Sequence, residues 1–284
     1  MACVRGNTIA AISMVRNGGF FVEKWIDYYG RFFGKQNLFL IIDGLDQPLP
    51  VGHEEITVTQ VPHITQGKAD GDRYRAKLVS EYAKTLLNHR GYKVVVAHDI
   101  DEYLVLDPSW SGTLADYLLS RVTSPSISAL GVDVVHHPLK EDAIDTGRPF
   151  MSQRSYAVIS SRHTKAVVAT EPVIWEPGFH RVKAKKSNID PNLFLFHCGM
   201  IDIDAAYNKV KEKDRFRWGW RSHFRNRKKV FELVSNRQPS DGDIVFSRAR
   251  INQTIFRPFF VWNKKTNIFL KTVIKVPPRF KKII

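Results

Sequence analysis

Apolar and polar positions alternate in blocks along the first third of the chain, and each block predicts one strand or one helix. Short β-branched runs indicate buried strands, whereas apolar positions three and four apart indicate amphipathic helices. The predicted elements are the strand Thr8–Val15, the helix Phe20–Phe33, the strands Leu38–Ile42 and Glu55–Val61, the helix Asp72–Arg90 and the strand Val94–Ala97. Strands that alternate with helices are typical of an α/β domain with a mainly parallel central sheet.

The middle of the chain continues this pattern with shorter elements. We expect a helix at Thr113–Arg121, strands at Ser126–Val135 and Leu193–Phe196, and a hairpin made of Ser155–Ser161 and Lys165–Thr170. The segment 204–234 is predicted to be helical and is densely basic. We therefore divide the chain into an α/β domain at 1–205 and a basic, aromatic-rich C-terminal extension at 206–284.

Three carboxylates follow the strand Val94–Ala97 within four positions, at Asp99, Asp101 and Glu102. Carboxylates crowded at the end of a buried strand repel one another and lose hydration unless a positive group neutralises them. A divalent cation that carries a phosphorylated ligand supplies that charge, because Mg²⁺ and Mn²⁺ prefer oxygen ligands. A plain strand-to-loop junction with hydrated acids is the alternative, and the apolar run Tyr103–Leu106 that follows favours the metal.

Polar side chains also follow other predicted strands. Arg16-Asn17 and Asp43 come directly after the first two strands, and His197 follows Leu193–Phe196. Ligands of such sheets bind beyond the carboxyl ends of the strands. Asp43 alone would indicate a turn, and His197 alone is equally compatible with a structural imidazole. The convergence of several polar strand ends favours one ligand crevice.

The composition is that of a globular protein, with 284 residues of which 43% are hydrophobic and 25% charged. Two distant cysteines, Cys3 and Cys198, exclude a disulfide framework and a cysteine zinc motif, and they indicate a reducing, cytoplasmic setting. No apolar run approaches the roughly 20 residues that a membrane-spanning helix needs. A phosphate loop, a serine-hydrolase elbow and a dinucleotide glycine motif are all absent from the sequence.

The formal charge of +15 is concentrated in one segment. Residues 206–284 hold 21 Lys and Arg against 5 Asp and Glu, whereas residues 1–205 hold 22 against 23. Between residues 215 and 229 the cations alternate with aromatic side chains. This pattern is typical of a helix on an anionic membrane and of a surface that stacks on single-stranded nucleic acid. A hydrated charged face is the simpler alternative.

Four short motifs occur in one order: Met14-Val15-Arg16-Asn17, Glu23–Tyr28, Ile41-Ile42-Asp43 and His98–Tyr103. Together they resemble the glycosyltransferase family 2-like enzymes of GT-A fold, in particular the bacterial branch with an Asp-x-Asp-Glu motif followed by an aromatic residue. The resemblance covers about residues 8–106 and, more loosely, Lys165 and the region from His180 to Asp202. Gly18 and Tyr29 depart from that branch, which usually has Glu and His at these positions.

The resemblance implies a nucleotide-sugar half at about 1–110 and an acceptor half at about 111–205. The implied donor is a nucleotide sugar, first of all a UDP-sugar, held with Mn²⁺ or Mg²⁺. Asp101 and His197 are implied metal ligands, and Asp99 is implied to hold the ribose, the metal or a metal-bound water. The other implied donor contacts are Arg16, Asn17, Asp43, Arg73 and Lys77.

The implied acceptor is a glycan or a lipid-linked molecule of bacterial cell-surface polysaccharide or lipopolysaccharide synthesis. An inverting transfer needs a base for the acceptor hydroxyl, and the candidates are Asp202 and Glu171. The basic extension is then expected to contact an anionic membrane at the inner face of the plasma membrane rather than nucleic acid. Two other classes stay open: a nucleotidyltransferase with the same carboxylate and metal chemistry, and a non-enzymatic nucleic-acid-binding protein.

Overall fold

The computed structural model describes residues 8–64, 67–121, 123–184, 188–211, 221–256 and 271–284. Its centre is one eleven-stranded sheet. The strands are β1 Ile9–Val15, β2 Leu38–Asp43, β3 Thr57–Val61, β4 Val94–Ala97, β5 Glu102–Leu106, β6 Ser126–Val135, β7 Tyr156–Ile159, β8 Lys165–Ala169, β9 Asn188–Met200, β10 Ser240–Asp241 and β11 Thr272–Lys275. The helices are α1 Phe20–Phe33, α2 Lys68–His89, α3 Leu114–Arg121, α4 Phe150–Gln153, α5 Ile203–Lys211, α6 Arg221–Asn236 and α7 Gly242–Ile255.

The sheet is mixed, and this corrects the expectation of a mainly parallel one. The strand order is β10-β11-β7-β6-β8-β4-β1-β2-β3, and β9 pairs with both β5 and β6. In the first third of the chain, β1 is parallel to both β2 and β4, and β2 is parallel to β3. From β8 onward the pairing is largely antiparallel, because β4, β7 and β8 each have an antiparallel partner and because β5 runs against β9. The predicted hairpin is wrong: β7 and β8 do not pair with each other but lie end to end along one edge of β6, β8 beside its first half and β7 beside its second.

Both faces of β1 are covered, which explains its unbroken apolar sequence. Ile9 and Ala11 pack with helix α1, whose Trp25 is fully buried, whereas Ala10 and Ile12 pack with helix α2. Successive side chains of a strand point to opposite faces, so a strand between two helical layers needs apolar residues at every position. The α/β prediction for this half of the chain is confirmed.

The end of the chain belongs to the same core, so the predicted C-terminal extension is not confirmed as a separate unit. Strand β11 pairs with β7, and Phe280 packs against Phe194 and Phe196 of β9. Arg279 forms a double hydrogen bond with the carboxylate of Asp107, at 2.8 and 2.9 Å. The basic segment is thus fastened to the sheet at its far end. In the parts of the chain described, no helix is both long and apolar enough to cross a membrane.

Candidate active site

The carboxyl ends of β1, β2 and β4 lie at one edge of the sheet, because these strands are parallel and adjacent. Arg16, after β1, donates to the carbonyl oxygen of Asp43 at 2.8 Å and forms two hydrogen bonds with Asp46, at 2.9 and 2.8 Å. The carboxylate of Asp43 lies 3.0 Å from Nδ1 of His63. Asn17 has a positive φ of 54°, and its backbone N–H bonds to Gln47. The roles of these residues as nucleoside contacts stay predictions.

Helix α2 sends a different cation into this edge than the two that were named from the sequence. Arg73 pairs with Asp70 one turn earlier, and Lys77 lies 4.0 Å from Glu81, with 63% and 76% of their side chains exposed. Arg75 instead donates to Oδ1 of Asp99 at 2.9 Å. No pattern in the sequence separates Arg75 from its neighbours, because helix α2 carries cations on several sides.

Asp99 and Glu102 are joined by a buried lysine. The ammonium group of Lys165, at the start of β8, lies 2.7 Å from Oδ2 of Asp99 and 2.7 Å from Oε1 of Glu102. Glu102 is fully buried and only 5% of the Lys165 side chain is exposed. Strand β8 runs against β4, which brings the first residue of β8 to the carboxyl end of β4. Two carboxylates of the Asp-x-Asp-Glu motif therefore have protein cations as partners.

Asp101 faces a different group, the imidazole of His197. Oδ2 of Asp101 lies 3.8 Å from Nε2 of His197, and the backbone N–H of Cys198 donates to the carbonyl of Asp101 at 2.8 Å. A Cβ atom at Gly199 would lie 2.8 Å from each of these two side-chain atoms. The missing side chain of Gly199 leaves a small cradle between a carboxylate oxygen and an imidazole nitrogen.

The other nitrogen of His197 is held by a carboxylate. Nδ1 of His197 lies 2.7 Å from Oδ1 of Asp133, because β6 and β9 pair with these two residues in register. The same register continues to β5, where Glu102 pairs with His197. A carboxylate that binds one ring nitrogen fixes the tautomer and turns the other nitrogen toward a metal. Asp133 was not named from the sequence, since it lies inside the apolar run Ser126–Val135.

A second imidazole lies on the first. His163, in the turn between β7 and β8, stacks on His197 with ring centroids 4.0 Å apart, and its Nε2 lies 3.5 Å from Asp133. Ligand atoms of Asp133, His163 and His197 lie within 4.8 Å of one another, a spacing that a metal ion can bridge. Gly131 allows this turn to approach β6, because a Cβ atom there would overlap the backbone of His163 and Thr164.

The electrostatics separate these groups into two sets. Burial raises the pKa of Asp99, but Lys165 and Arg75 lower it much further, so this carboxyl is held ionised. Burial lowers the pKa of His197, yet Asp133 and Asp101 raise it by more, so the net shift is upward. The two carboxylates thus favour the charged form of the imidazole, and a divalent cation can take the place of its proton.

The two predicted bases lie in other surroundings. Asp202 accepts hydrogen bonds from the backbone N–H groups of Ile144 and Ala205, at 2.9 and 2.8 Å, and so caps the start of α5. Glu171 is exposed and follows the end of β8 that is opposite to Lys165. The antiparallel direction of β8 puts Glu171 at the other edge of the sheet from Asp99. This geometry does not support either residue as the base, and their assignment remains a prediction.

Comparisons with known proteins add little to this geometry. No family model matches the chain, and no curated protein matches it. One similar solved structure is a mannosyltransferase from Pyrobaculum calidifontis in complex with GDP-mannose and Mn²⁺. It is 9% identical, with a TM-score of 0.37, over 92% of this chain and 84% of that one. A likeness at this level establishes no shared activity.

Proposed function

We propose that this protein is a metal-dependent glycosyltransferase that uses a nucleotide-sugar donor. The observation that carries the proposal is the cradle at Gly199, where a carboxylate oxygen of Asp101 and a nitrogen of His197 face each other 3.8 Å apart. It lies beside the strand ends that carry Asp99 and Arg16. The diphosphate of a nucleotide-sugar bound at this edge would contact the metal ion held by Asp101 and His197, and the polar side chains of Asp99 and Arg16 would lie beside it.

The donor set fits a divalent transition metal better than magnesium. Asp101 and His197 would hold the ion, and Asp133 would orient His197 from behind. Mg²⁺ prefers oxygen ligands alone, whereas Mn²⁺ also accepts imidazole, so we propose Mn²⁺ first. When bound, such an ion stabilises the negative charge that develops on a leaving diphosphate.

The remaining residues of the edge bind and orient the donor. We assign Asp99 to the sugar hydroxyls of the nucleoside, because Arg75 and Lys165 hold its carboxylate ionised and in place. Arg16, Asn17 and Asp43 line the neighbouring strand ends and fit the nucleoside side of the donor. The four motifs favour a UDP-sugar, and a panel of nucleotides distinguishes UDP from the other nucleotides.

The wider setting follows from the motif resemblance and from the charge of the chain. We propose a glycan or lipid-linked acceptor in cell-surface polysaccharide or lipopolysaccharide synthesis, with peripheral contact to an anionic membrane. The excess of cations in residues 206–284 supports that contact. The aromatic and basic residues 215–220, on which the expectation also rested, lie outside the described residues.

A thermal-unfolding panel tests the proposal directly. UDP, GDP, CMP and dTDP are each added with Mn²⁺ or with EDTA to the wild-type protein and to Asp101→Asn and Gly199→Ala. A ligand present at about 100 times its Kd adds about 2.7 kcal/mol of stability. One nucleotide should therefore raise the melting temperature of the wild type only with Mn²⁺, and neither variant should respond. Asp27→Asn, an exposed acid on α1, should respond like the wild type.

Two results would count against this function. Equal stabilisation in EDTA, or a full response in Asp101→Asn, would exclude the proposed metal site. Stabilisation by nucleoside triphosphates with release of pyrophosphate would favour the nucleotidyltransferase class instead.

A further inference from the structure

Three cations lie near the turn between β7 and β8, beside the cluster of Asp133, His163 and His197, here called the His197 cluster. Arg162 lies in the turn between β7 and β8, immediately before His163, and is exposed. Strand β11 runs against β7 with Thr272 opposite Ile159, so the preceding residue, Lys271, comes beside the start of the same turn. The backbone pairing therefore brings two cations from distant parts of the chain to one place.

The third cation comes from helix α6. Val230, Phe231 and Val234 of this helix pack against Tyr156, Val158 and Val273 on one face of the sheet. Arg227 precedes Val230 and Phe231 by three and four positions, so it lies on the same side of the helix, one turn earlier. It is half-buried, unlike Arg225 and Lys228, which are exposed. Arg227 thus points along the sheet face rather than away from it.

Asp133 lies on that same sheet face. It pairs with Val158 of β7, and side chains of directly paired residues point to the same side. The electrostatics agree with this placement. Burial raises the pKa of Asp133, whereas His163, His197 and Arg227 lower it, with a net downward shift. Burial, Arg162 and, least of the three, Lys229 lower the pKa of Lys271, and Asp133 opposes them. Arg227 and Lys271 are both within electrostatic reach of the His197 cluster.

We propose that Arg162, Arg227 and Lys271 form a binding site for a phosphate or diphosphate group of the acceptor substrate. Three cations that converge repel one another, and an anion with several oxygens offsets that repulsion through charge-assisted hydrogen bonds. The donor residues Arg16 and Asp43 follow β1 and β2, which are separated from β8 by β4, whereas Lys271 precedes β11, the strand that pairs with β7. The phosphate that fits here is thus the acceptor's, and this assignment rests on the proposed function.

Inorganic pyrophosphate is the probe for this site. Its binding is measured by calorimetry in EDTA, so that no metal bridges it, for the wild type and for Arg227→Gln and Lys271→Gln. We expect each variant to weaken binding by roughly tenfold, the loss of one charge-assisted hydrogen bond. Arg225→Gln, on the exposed side of α6, should bind like the wild type. The melting temperatures of the variants verify that they remain folded.

A second arm separates the acceptor site from the donor site. The titration is repeated with Mn²⁺ and a saturating amount of the nucleotide that stabilises the protein, and pyrophosphate binding sensitive to Arg227→Gln should persist. Displacement by the nucleotide would overturn the inference and give the three cations to the donor. Equal weakening in Arg225→Gln would overturn it as well, since it would show non-specific attraction. If no nucleotide binds with Mn²⁺ but the variants still weaken pyrophosphate binding, the proposed function fails while the anion site stands.

Discussion

Among the residues of the candidate active site, Lys165 is the one whose replacement should lower the stability of the fold most. Its ammonium group lies 2.7 Å from one oxygen of Asp99 and 2.7 Å from one oxygen of Glu102. Asp99 keeps Arg75 as a partner at 2.9 Å when Lys165 is replaced. Glu102 is fully buried and keeps the backbone N–H of Asp99 at 3.4 Å and the imidazole of His163 at 3.7 Å. The Lys165→Met variant therefore leaves a buried carboxylate with no strong cation beside it.

The expected loss follows from this environment. Breaking a buried ion pair on one side costs about 3–5 kcal/mol, a large share of the roughly 5–15 kcal/mol that stabilises a domain. In urea denaturation, with a slope of about 3 kcal/mol per molar, the midpoint should fall by about 1–2 M. Removing the second charge as well, in Lys165→Met with Glu102→Gln, should recover much of the loss because no charge then remains unpaired.

The loss should also depend on pH, with a definite sign. Burial raises the pKa of Glu102, but Lys165 and His163 lower it by more, so the net shift is downward. In the wild type the ionised carboxylate therefore stabilises the fold at any pH above its unfolded-state pKa. That stability is lost as the pH falls through its folded-state pKa. Without Lys165 the folded pKa rises above the unfolded one. The variant can then protonate Glu102 on acidification, so the gap from the wild type should be wider at pH 7 than at pH 5.

An exposed pair of the same type is the control. Lys77 lies 4.0 Å from Glu81 on the outer side of α2, with 76% of its side chain exposed, and Lys77→Met should leave the urea midpoint unchanged because exposed pairs contribute little. If Lys165→Met shifted the midpoint as little as Lys77→Met, or if the double variant were no more stable than the single one, the buried pair would not have the role assigned to it.

Two further predictions concern the backbone that supports the site. Gly131→Ala should lower the free energy of unfolding by about 1–3 kcal/mol in thermal unfolding, because its Cβ atom overlaps the backbone of the turn that carries His163. The control is Gly147→Ala, in an exposed turn, which should leave the stability close to that of the wild type. Asp202→Ala should cost about 1–2 kcal/mol in urea denaturation through loss of the α5 cap. Loss of transfer activity in Asp202→Ala at unchanged stability would instead support Asp202 as the base.

The sequence predicted the elements of the first half well because their signals are local. β1, β2 and β4 are covered on both faces, so each appears as an unbroken apolar run, and the buried aromatic residues of α1 recur at helical spacing. Helix α2 begins at Lys68 rather than at Asp72, because its first turn is polar and lacks that spacing. For β1, β2, β4 and α1 the pattern of one segment was sufficient.

In the second half of the chain the sequence predicted individual strands and helices, but it did not predict how the strands pair. An apolar run such as Ser126–Val135 identifies a buried strand, yet nothing within it encodes whether its neighbours are parallel or antiparallel. The pairing of β6 with β9 decides that Asp133 lies opposite His197. The integration of β11 into the sheet was missed for a similar reason, since four residues among cations give a weak strand signal.

For the carboxylates that follow β4, the sequence pattern predicts that positive charge is needed but not which groups supply it. The sequence indicated that something positive must neutralise Asp99, Asp101 and Glu102, and it indicated a metal for the whole group. In the structure the protein supplies two cations, Arg75 and Lys165, for Asp99 and the buried Glu102. Asp101 faces His197 across the Gly199 cradle instead. Local crowding thus reflects two separate charge balances, and the proposed ion belongs to the one that contains His197 and the Gly199 cradle.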